Sequence, residues 1–102
     1  MTTEYQVTLW RELPSLVVAR DSDNPTDPAS VVKSSLPQRF QEAIDKAAMR
    51  LGDTSSEAYL EGWTRSGWQA ADGTPHEATD RVVAELEATW TPERVTAYLD
   101  AL

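Results

Sequence analysis

Residues 36–52 carry the clearest structural signal of the chain, and they read Leu-Pro-Gln-Arg-Phe-Gln-Glu-Ala-Ile-Asp-Lys-Ala-Ala-Met-Arg-Leu-Gly. Its apolar residues recur at the spacing of one helical face, and they are Phe40, Ile44, Ala47, Ala48 and Leu51. Pro37 suits the first turn of a helix, because a proline there loses no intrahelical hydrogen bond. Gly52 can adopt the left-handed conformation that ends a helix. The stretch therefore predicts one complete helix that packs its apolar face on a core.

Three short strands are predicted before this helix. Tyr5, Val7 and Leu9 alternate with the residues that follow each of them, in the two-residue period of a half-buried strand. Residues 13–15, Leu-Pro-Ser, interrupt that pattern, and the β-branched run at 16–19 predicts a second strand. Residues 31–33 predict the third. Consecutive short strands usually pair as an antiparallel meander.

The second half of the chain has the signals of helices. Residues 54–57, Thr-Ser-Ser-Glu, have the form of a capping box and predict a helix with Tyr59, Leu60 and Trp63 on its apolar face. A loop around Trp68 is expected to follow.

Residues 74–77, Thr-Pro-His-Glu, form a second capping box before a run with an apolar side chain every four residues from Ala78 to Trp90. Residues 91–93, Thr-Pro-Glu, start a short terminal helix. The order predicts an α+β fold in a single domain of residues 1–102. A small antiparallel three-stranded sheet in the N-terminal half is packed by three to four helices in the C-terminal two-thirds.

Composition and charge exclude several classes of function. The chain of 102 residues has no cysteine, which excludes disulfides and thiolate catalysis. Its net charge of −8 is uneven, since residues 1–52 hold 6 basic and 7 acidic side chains and residues 53–102 hold 3 and 10. Such a charge disfavours nucleic acid and anionic membranes as partners. Without a signal peptide or a long apolar run, a cytoplasmic protein is predicted, while the oligomeric state stays open.

No constellation of residues predicts catalysis, a metal site or a cofactor. His76 is the single histidine, and inside a capping box it is expected at the surface. Asp21, Asp23 and Asp27 begin like a calcium loop, but Pro25 and Thr26 stand where a ligand and a glycine are needed. We predict a solvated turn there, no metal and no cofactor. A non-enzymatic protein is favoured.

Arginines and tryptophans are the candidate binding residues. Trp10-Arg11 and Arg39-Phe40 each place a cation beside an aromatic ring, an arrangement that suits carboxylate or phosphate. Trp68 lies outside any periodic stripe, so an exposed and a buried position both stay open. We predict a binding role for the residues Trp10, Arg11, Arg39, Arg50 and Trp68.

Two arrangements of the arginines are open. If Arg11, Arg20, Arg39 and Arg50 lie together, they form a basic patch in an acidic protein, suited to an anionic small molecule or an acidic partner surface. In the other arrangement, each arginine pairs locally with acids, namely Glu12, Glu42 and Asp45.

Two stretches carry a resemblance to a known family. They are residues 7–14 with 16–19, Val-Thr-Leu-Trp-Arg-Glu-Leu-Pro and Leu-Val-Val-Ala, and residues 36–45 with 47–50, continuing to Trp63. Over about residues 5–66 the chain resembles the small bacterial family described as virulence factor. The domain of that family also forms the C-terminal part of the staphylococcal conserved virulence factor C. The resemblance implies no catalytic residues.

The resemblance also implies a metabolic context. Members of similar type are often encoded beside one-carbon enzymes, namely methylenetetrahydrofolate reductase and corrinoid methyltransferase components. A first hypothesis is therefore a non-enzymatic module that docks on another protein, such as a one-carbon enzyme, through Trp10, Arg11, Arg39 and Trp68. The alternative is a subunit that binds a folate-like or phosphate-like anion through Arg11, Arg39 and Arg50. A purely structural role of these residues is the third possibility.

Overall fold

The computed structural model of the chain describes residues 2–24, 26–52 and 56–102, and these residues form an α+β fold. The strands are β1 (Thr3–Trp10), β2 (Leu13–Asp21), β3 (Val32–Ser35), β4 (Trp63–Arg65) and β5 (Gln69–Ala71). The α-helices are α1 (Gln38–Leu51), α2 (Ser56–Glu61), α3 (Pro75–Thr89) and α4 (Pro92–Asp100). A 3₁₀ turn at Pro28–Ser30 precedes β3. No helix in the described ranges has the length and apolar character of a membrane span.

The antiparallel sheet has five strands, so the prediction of three strands is wrong, while the α+β class is confirmed. The order is β3-β2-β1-β4, and β5 also pairs with β1. Both extra strands come from the C-terminal half of the chain. Each has only three residues, which is too short for a two-residue period to appear in the sequence. Trp63, predicted on a helix, begins β4 instead.

The turn between β1 and β2 lies earlier than the sequence predicts. It consists of Arg11 and Glu12, and Arg11 has a positive φ of 54°. Pro14, predicted to interrupt the strands, lies within β2 opposite Leu9. The register shifts at this point, with Ser15 as the extra residue, and such a bulge accommodates a proline in a sheet.

The core has two parts, one on α3 and one on α1. Val7 and Val17, which face each other across β1 and β2, pack against Val82 of α3. Trp10 and Leu13, at the hairpin end, pack with the small apolar face of α1. Partly buried side chains of α4 close this second cluster. The helix α3 therefore covers one face of the sheet, and α1 joins the hairpin to α4.

Most predicted helix ends are confirmed. Gly52 ends α1 with a φ of 74°, and Pro37 directly precedes its first residue. The capping box at Thr74 and Glu77 begins α3, and the Thr91 side chain caps α4. The predicted capping box of residues 54–57 lies partly outside the described residues. Leu60 is 65% exposed, so its predicted place on an apolar packing face is wrong.

Candidate functional site

The face of the sheet opposite α3 carries side chains that alternate with the core valines. Val7 and Val17 point toward α3, and successive side chains of a strand point to opposite faces. The neighbouring residues therefore lie on the far side, where Gln6 pairs with Val18 and Thr8 pairs with Leu16. We call this side of the sheet the open face. It also includes Arg20, Lys33, Arg65 and Trp68.

A bulge between β4 and β5 turns Arg65 and Trp68 to the same side. Thr8 pairs with Arg65 and Tyr5 pairs with Gln69. Three residues along β1 therefore correspond to four residues along the segment from β4 to β5. In a regular strand, residues 65 and 68 would point to opposite faces, and one extra residue corrects this. Ser66 bridges the gap, since its N–H donates to the Val7 carbonyl at 2.9 Å and its Oγ accepts from the Val7 N–H at 2.9 Å.

The open face contains a shallow cleft of about 220 Å³. Its floor is formed by half-buried side chains of β1, of β2 and of the residue before β3, and they are Gln6, Thr8, Leu16, Val18 and Val31. Its polar and aromatic lining comes from Arg20, Lys33, Arg65 and Trp68. Three cations thus surround a partly apolar floor.

Arg20 and Trp68 form a stacked pair at the border of the cleft. The guanidinium carbon of Arg20 lies 3.7 Å from the centre of a Trp68 ring, which is a close cation–π contact. The Nε of Arg20 also donates to a Glu4 carboxylate oxygen at 2.7 Å. The sequence leaves open whether Trp68 is exposed or buried. In the structure it is half-buried, and its ring lies against the Arg20 guanidinium.

Lys33 and Arg65 are exposed cations on the open face. Neither makes an ion pair or a side-chain hydrogen bond within the parts of the chain that the structure describes. Acidic side chains outnumber basic ones 17 to 9 in this protein, so acids are abundant elsewhere. Within the described ranges, this face therefore carries two exposed cations without an ion pair, available to an external anion.

Trp10 is a core residue and does not reach a partner, which corrects its predicted place on a contact surface. Its side chain has 0% exposure. The indole Nε1 donates to the Tyr59 carbonyl at 2.7 Å, and the ring stacks on Tyr59 at 5.8 Å between centroids. The indole is therefore enclosed, with its polar atom satisfied.

Arg39 and Arg50 bind the ends of two different helices. Arg39 donates from both terminal nitrogens, to Trp90 O at 2.8 Å and Glu87 O at 3.3 Å, at the C-terminus of α3. Arg50 donates to Leu99 O at 3.0 Å and pairs with Asp100 at the C-terminus of α4. Cations are favoured at these negative ends of helix dipoles.

Arg39 and Arg50 do not lie together, as the predicted basic patch requires. They are eleven residues apart on α1, which corresponds to roughly 16 Å along the helix. In the described ranges neither pairs with Glu42 or Asp45, the acids that the sequence suggested. Arg20 lies on the sheet instead, with Trp68 and Glu4.

Arg11 belongs to the turn between β1 and β2. Its guanidinium carbon lies 5.3 Å from the centre of the Trp10 ring, and its backbone N–H donates to the Gly62 carbonyl at 2.8 Å. The neighbouring turn residue Glu12 accepts a hydrogen bond from the phenol of Tyr98 on α4. Burial, followed by this bond to Glu12, raises the pKa of Tyr98 to about 12.

The loop acids stabilise turns, as predicted for a solvated segment. An Asp21 side-chain oxygen accepts from the backbone N–H of Asp23 at 2.9 Å, and Asp27 accepts from Ala29 at 3.0 Å. Asp27 thereby caps the 3₁₀ turn before β3. The exposed position predicted for His76 is confirmed.

The family model described as virulence factor matches residues 8–98. The chain belongs to the virulence factor family. The match spans every strand at least in part, together with α3 and most of α4, so the family covers more of the chain than residues 5–66. Its description states no reaction, ligand or partner. Searches of curated proteins and of solved structures found no match.

Sequence reasoning missed Lys33 and Arg65 as members of a site. Lys33 follows Val32 in a segment predicted as a strand, so alternation could have placed it on the face opposite the core. Arg65 lies in a segment predicted as the end of a helix, and no local signal there indicates a strand. Of the predicted binding residues, the structure brings Trp68 to the open face, where it meets Arg20, a residue of the predicted basic patch.

Proposed function

We propose that this member of the virulence factor family is a non-enzymatic accessory module that binds an acidic surface of another protein through the open face. The observation that carries the proposal is the pair Lys33 and Arg65, two exposed cations without an ion pair in the described ranges, on either side of a partly aliphatic floor beside Trp68. Arginine and tryptophan are enriched among the residues that dominate binding energy at protein interfaces.

The electrostatics of the molecule support selectivity for a protein rather than a nucleic acid. A net charge of −8 repels a long polyanion over distances beyond the cleft. A local cluster of cations can still attract a carboxylate patch of limited extent. Screening at physiological salt limits the interaction between exposed charges to about 8 Å, so nearby cations outweigh distant acids. One-carbon enzymes remain one predicted class of partner.

The proposal is tested by capture from native cell extract with the tagged full-length chain. Lys33→Glu and Arg65→Glu, combined, should reduce the captured partner at least about tenfold, because two attractive contacts become repulsive. Lys46→Glu is the matched control, since Lys46 is exposed on α1 and lines a different groove. It has the same charge change per site and should retain the partner.

Capture that is equally strong with the double variant would contradict the open face as the docking surface. A clean protein without any partner would contradict the docking function. In that case calorimetric titration with inorganic phosphate would test whether the three cations of the cleft bind a small anion instead, a site different from the predicted set of Arg11, Arg39 and Arg50. Circular dichroism of each variant checks that the fold is retained.

A further inference from the structure

We infer that the open face binds an extended segment of the partner that has acidic residues at positions i and i+4 and an apolar residue at position i+2. This inference rests on the proposed function and specifies the partner's chemistry. It follows from where the cations stand on the sheet, and from what lies between them.

The two exposed cations stand on opposite borders of the cleft. Lys33 belongs to β3 and Arg65 to β4, with β2 and β1 between them. Neighbouring strands are about 4.8 Å apart, so the outer strands are separated by roughly 14 Å. Lys33 lies in the row of Val18 and Arg65 in the row of Leu16, about 7 Å farther along the strands, so the two residues are roughly 16 Å apart. An extended chain advances about 3.3 Å per residue, so residues i and i+4 are roughly 13 Å apart. Carboxylates at these positions can meet both cations, because the long lysine and arginine side chains span the remaining difference of roughly 3 Å.

The surface between the cations is apolar in part. Val18 pairs with Lys33 across β2 and β3, and Leu16 lies in the row that leads through Thr8 to Arg65. Both aliphatic side chains are half-buried. Residues i, i+2 and i+4 of an extended segment point to the same side. The residue at i+2 therefore lies over the middle of the floor, between Leu16 and Val18 of β2 and their pairing partners on β1. An apolar side chain there is the complement of the two aliphatic residues.

Arg20 and Trp68 define the third side of the cleft. Arg20 is already bound to the Glu4 carboxylate at 2.7 Å and stacks on Trp68. It thus holds the indole in place, while Lys33 and Arg65 stay free for the incoming acids. The ion pair between Arg20 and Glu4 is an example, within this chain, of a carboxylate bound by a cation of the open face.

The experiment uses two fluorescently labelled peptides of identical composition, titrated into the full-length protein and followed by fluorescence anisotropy. The first is Gly-Glu-Ala-Leu-Ala-Glu-Gly, with acids at i and i+4. The second is Gly-Glu-Ala-Leu-Glu-Ala-Gly, in which the second acid moves to i+3 and points away from the sheet. We expect the first peptide to bind several-fold more tightly, and its affinity to fall as salt is raised.

Three variants connect the binding to the named residues. Lys33→Gln and Arg65→Gln should each weaken the first peptide about threefold, as expected for ion pairs that are open to solvent. Trp68→Ala should weaken it through loss of the side wall. Lys46→Gln, exposed and outside the open face, is the control and should leave the affinity unchanged.

Equal binding of the two peptides, or equal loss with Lys46→Gln, would overturn the proposed spacing. If neither peptide binds while Lys33→Glu with Arg65→Glu still abolishes capture of a partner, the occupant is a folded acidic surface. The extended segment is then wrong and the docking function stands. If peptide binding and capture both fail to respond to these residues, both proposals are wrong.

Discussion

Gly62 lies against the Trp10 indole, so this position has no room for a side chain larger than a hydrogen atom. A Cβ built on Gly62 would lie 2.6 Å from Cε2 of the Trp10 indole, which is fully buried. We therefore expect Gly62→Ala to lower the free energy of unfolding by about 1–3 kcal/mol, the usual cost of overpacking. Chemical denaturation with fluorescence detection measures the change.

Gly67→Ala is the matched control for that substitution. Gly67 has no atom within 4 Å of an added Cβ, and its φ lies outside the left-handed region. Its free energy of unfolding should change by less than about 0.5 kcal/mol. Similar losses at both positions would indicate a general effect of glycine replacement, and would contradict the close contact between Gly62 and Trp10.

Among the helices, α1 acts as the link between α3 and α4. Arg39 donates to two carbonyls at the end of α3, while its guanidinium also stacks on Phe40 at 4.3 Å. Arg39→Met keeps most of the aliphatic stem and removes both donors. We expect the free energy of unfolding to fall by about 1–2 kcal/mol, because charge-assisted bonds to a helix end are lost.

The comparison variant lies on the same helix. Lys46→Met removes an exposed charge without a described contact to a helix end, and should change stability by less than about 0.5 kcal/mol. Arg39→Lys should fall between the two, since an ammonium is a point charge and lacks the planar fork. If Arg39→Met and Lys46→Met were equally stable, the proposed role of Arg39 at the helix end would be wrong.

Helices with local end signals could be predicted from the sequence, and the short strands could not. Gly52 and Thr74 act within one turn of their own positions, so a local pattern suffices. β4 and β5 form because Ser66 completes the edge of β1 across a bulge, which is a long-range effect. The open face was missed for the same reason, since Arg65 and Trp68 share a side only through that bulge.

At the scale of the whole molecule, a contact between the two ends of the chain closes the fold. Tyr98 on α4 donates its phenol hydrogen to Glu12 in the first hairpin turn. The two residues are 86 positions apart, so no periodicity in the sequence could indicate their pairing. The contact joins the last helix to the first two strands, and its protonation state connects the stability of the fold to pH.

The pH dependence has a definite sign. The pKa of Tyr98 rises from 10.0 to about 12 on folding, because burial and the bond to Glu12 favour the neutral phenol. The stabilisation is therefore complete below pH 10, and is lost as the pH rises from 10 through about 12. We expect Tyr98→Phe to be less stable than the unsubstituted protein at pH 7, by about 0.5–1.5 kcal/mol.

The free energy of unfolding should decline less steeply for Tyr98→Phe between pH 10 and 12, so the two curves converge. Tyr5→Phe is the control, since the phenol of Tyr5 donates to the amide of Gln69 rather than to a carboxylate. It leaves Tyr98 in place, so its curve should keep the slope of the unsubstituted protein. Parallel curves for Tyr98→Phe and the unsubstituted protein would show that this phenol does not connect stability to pH.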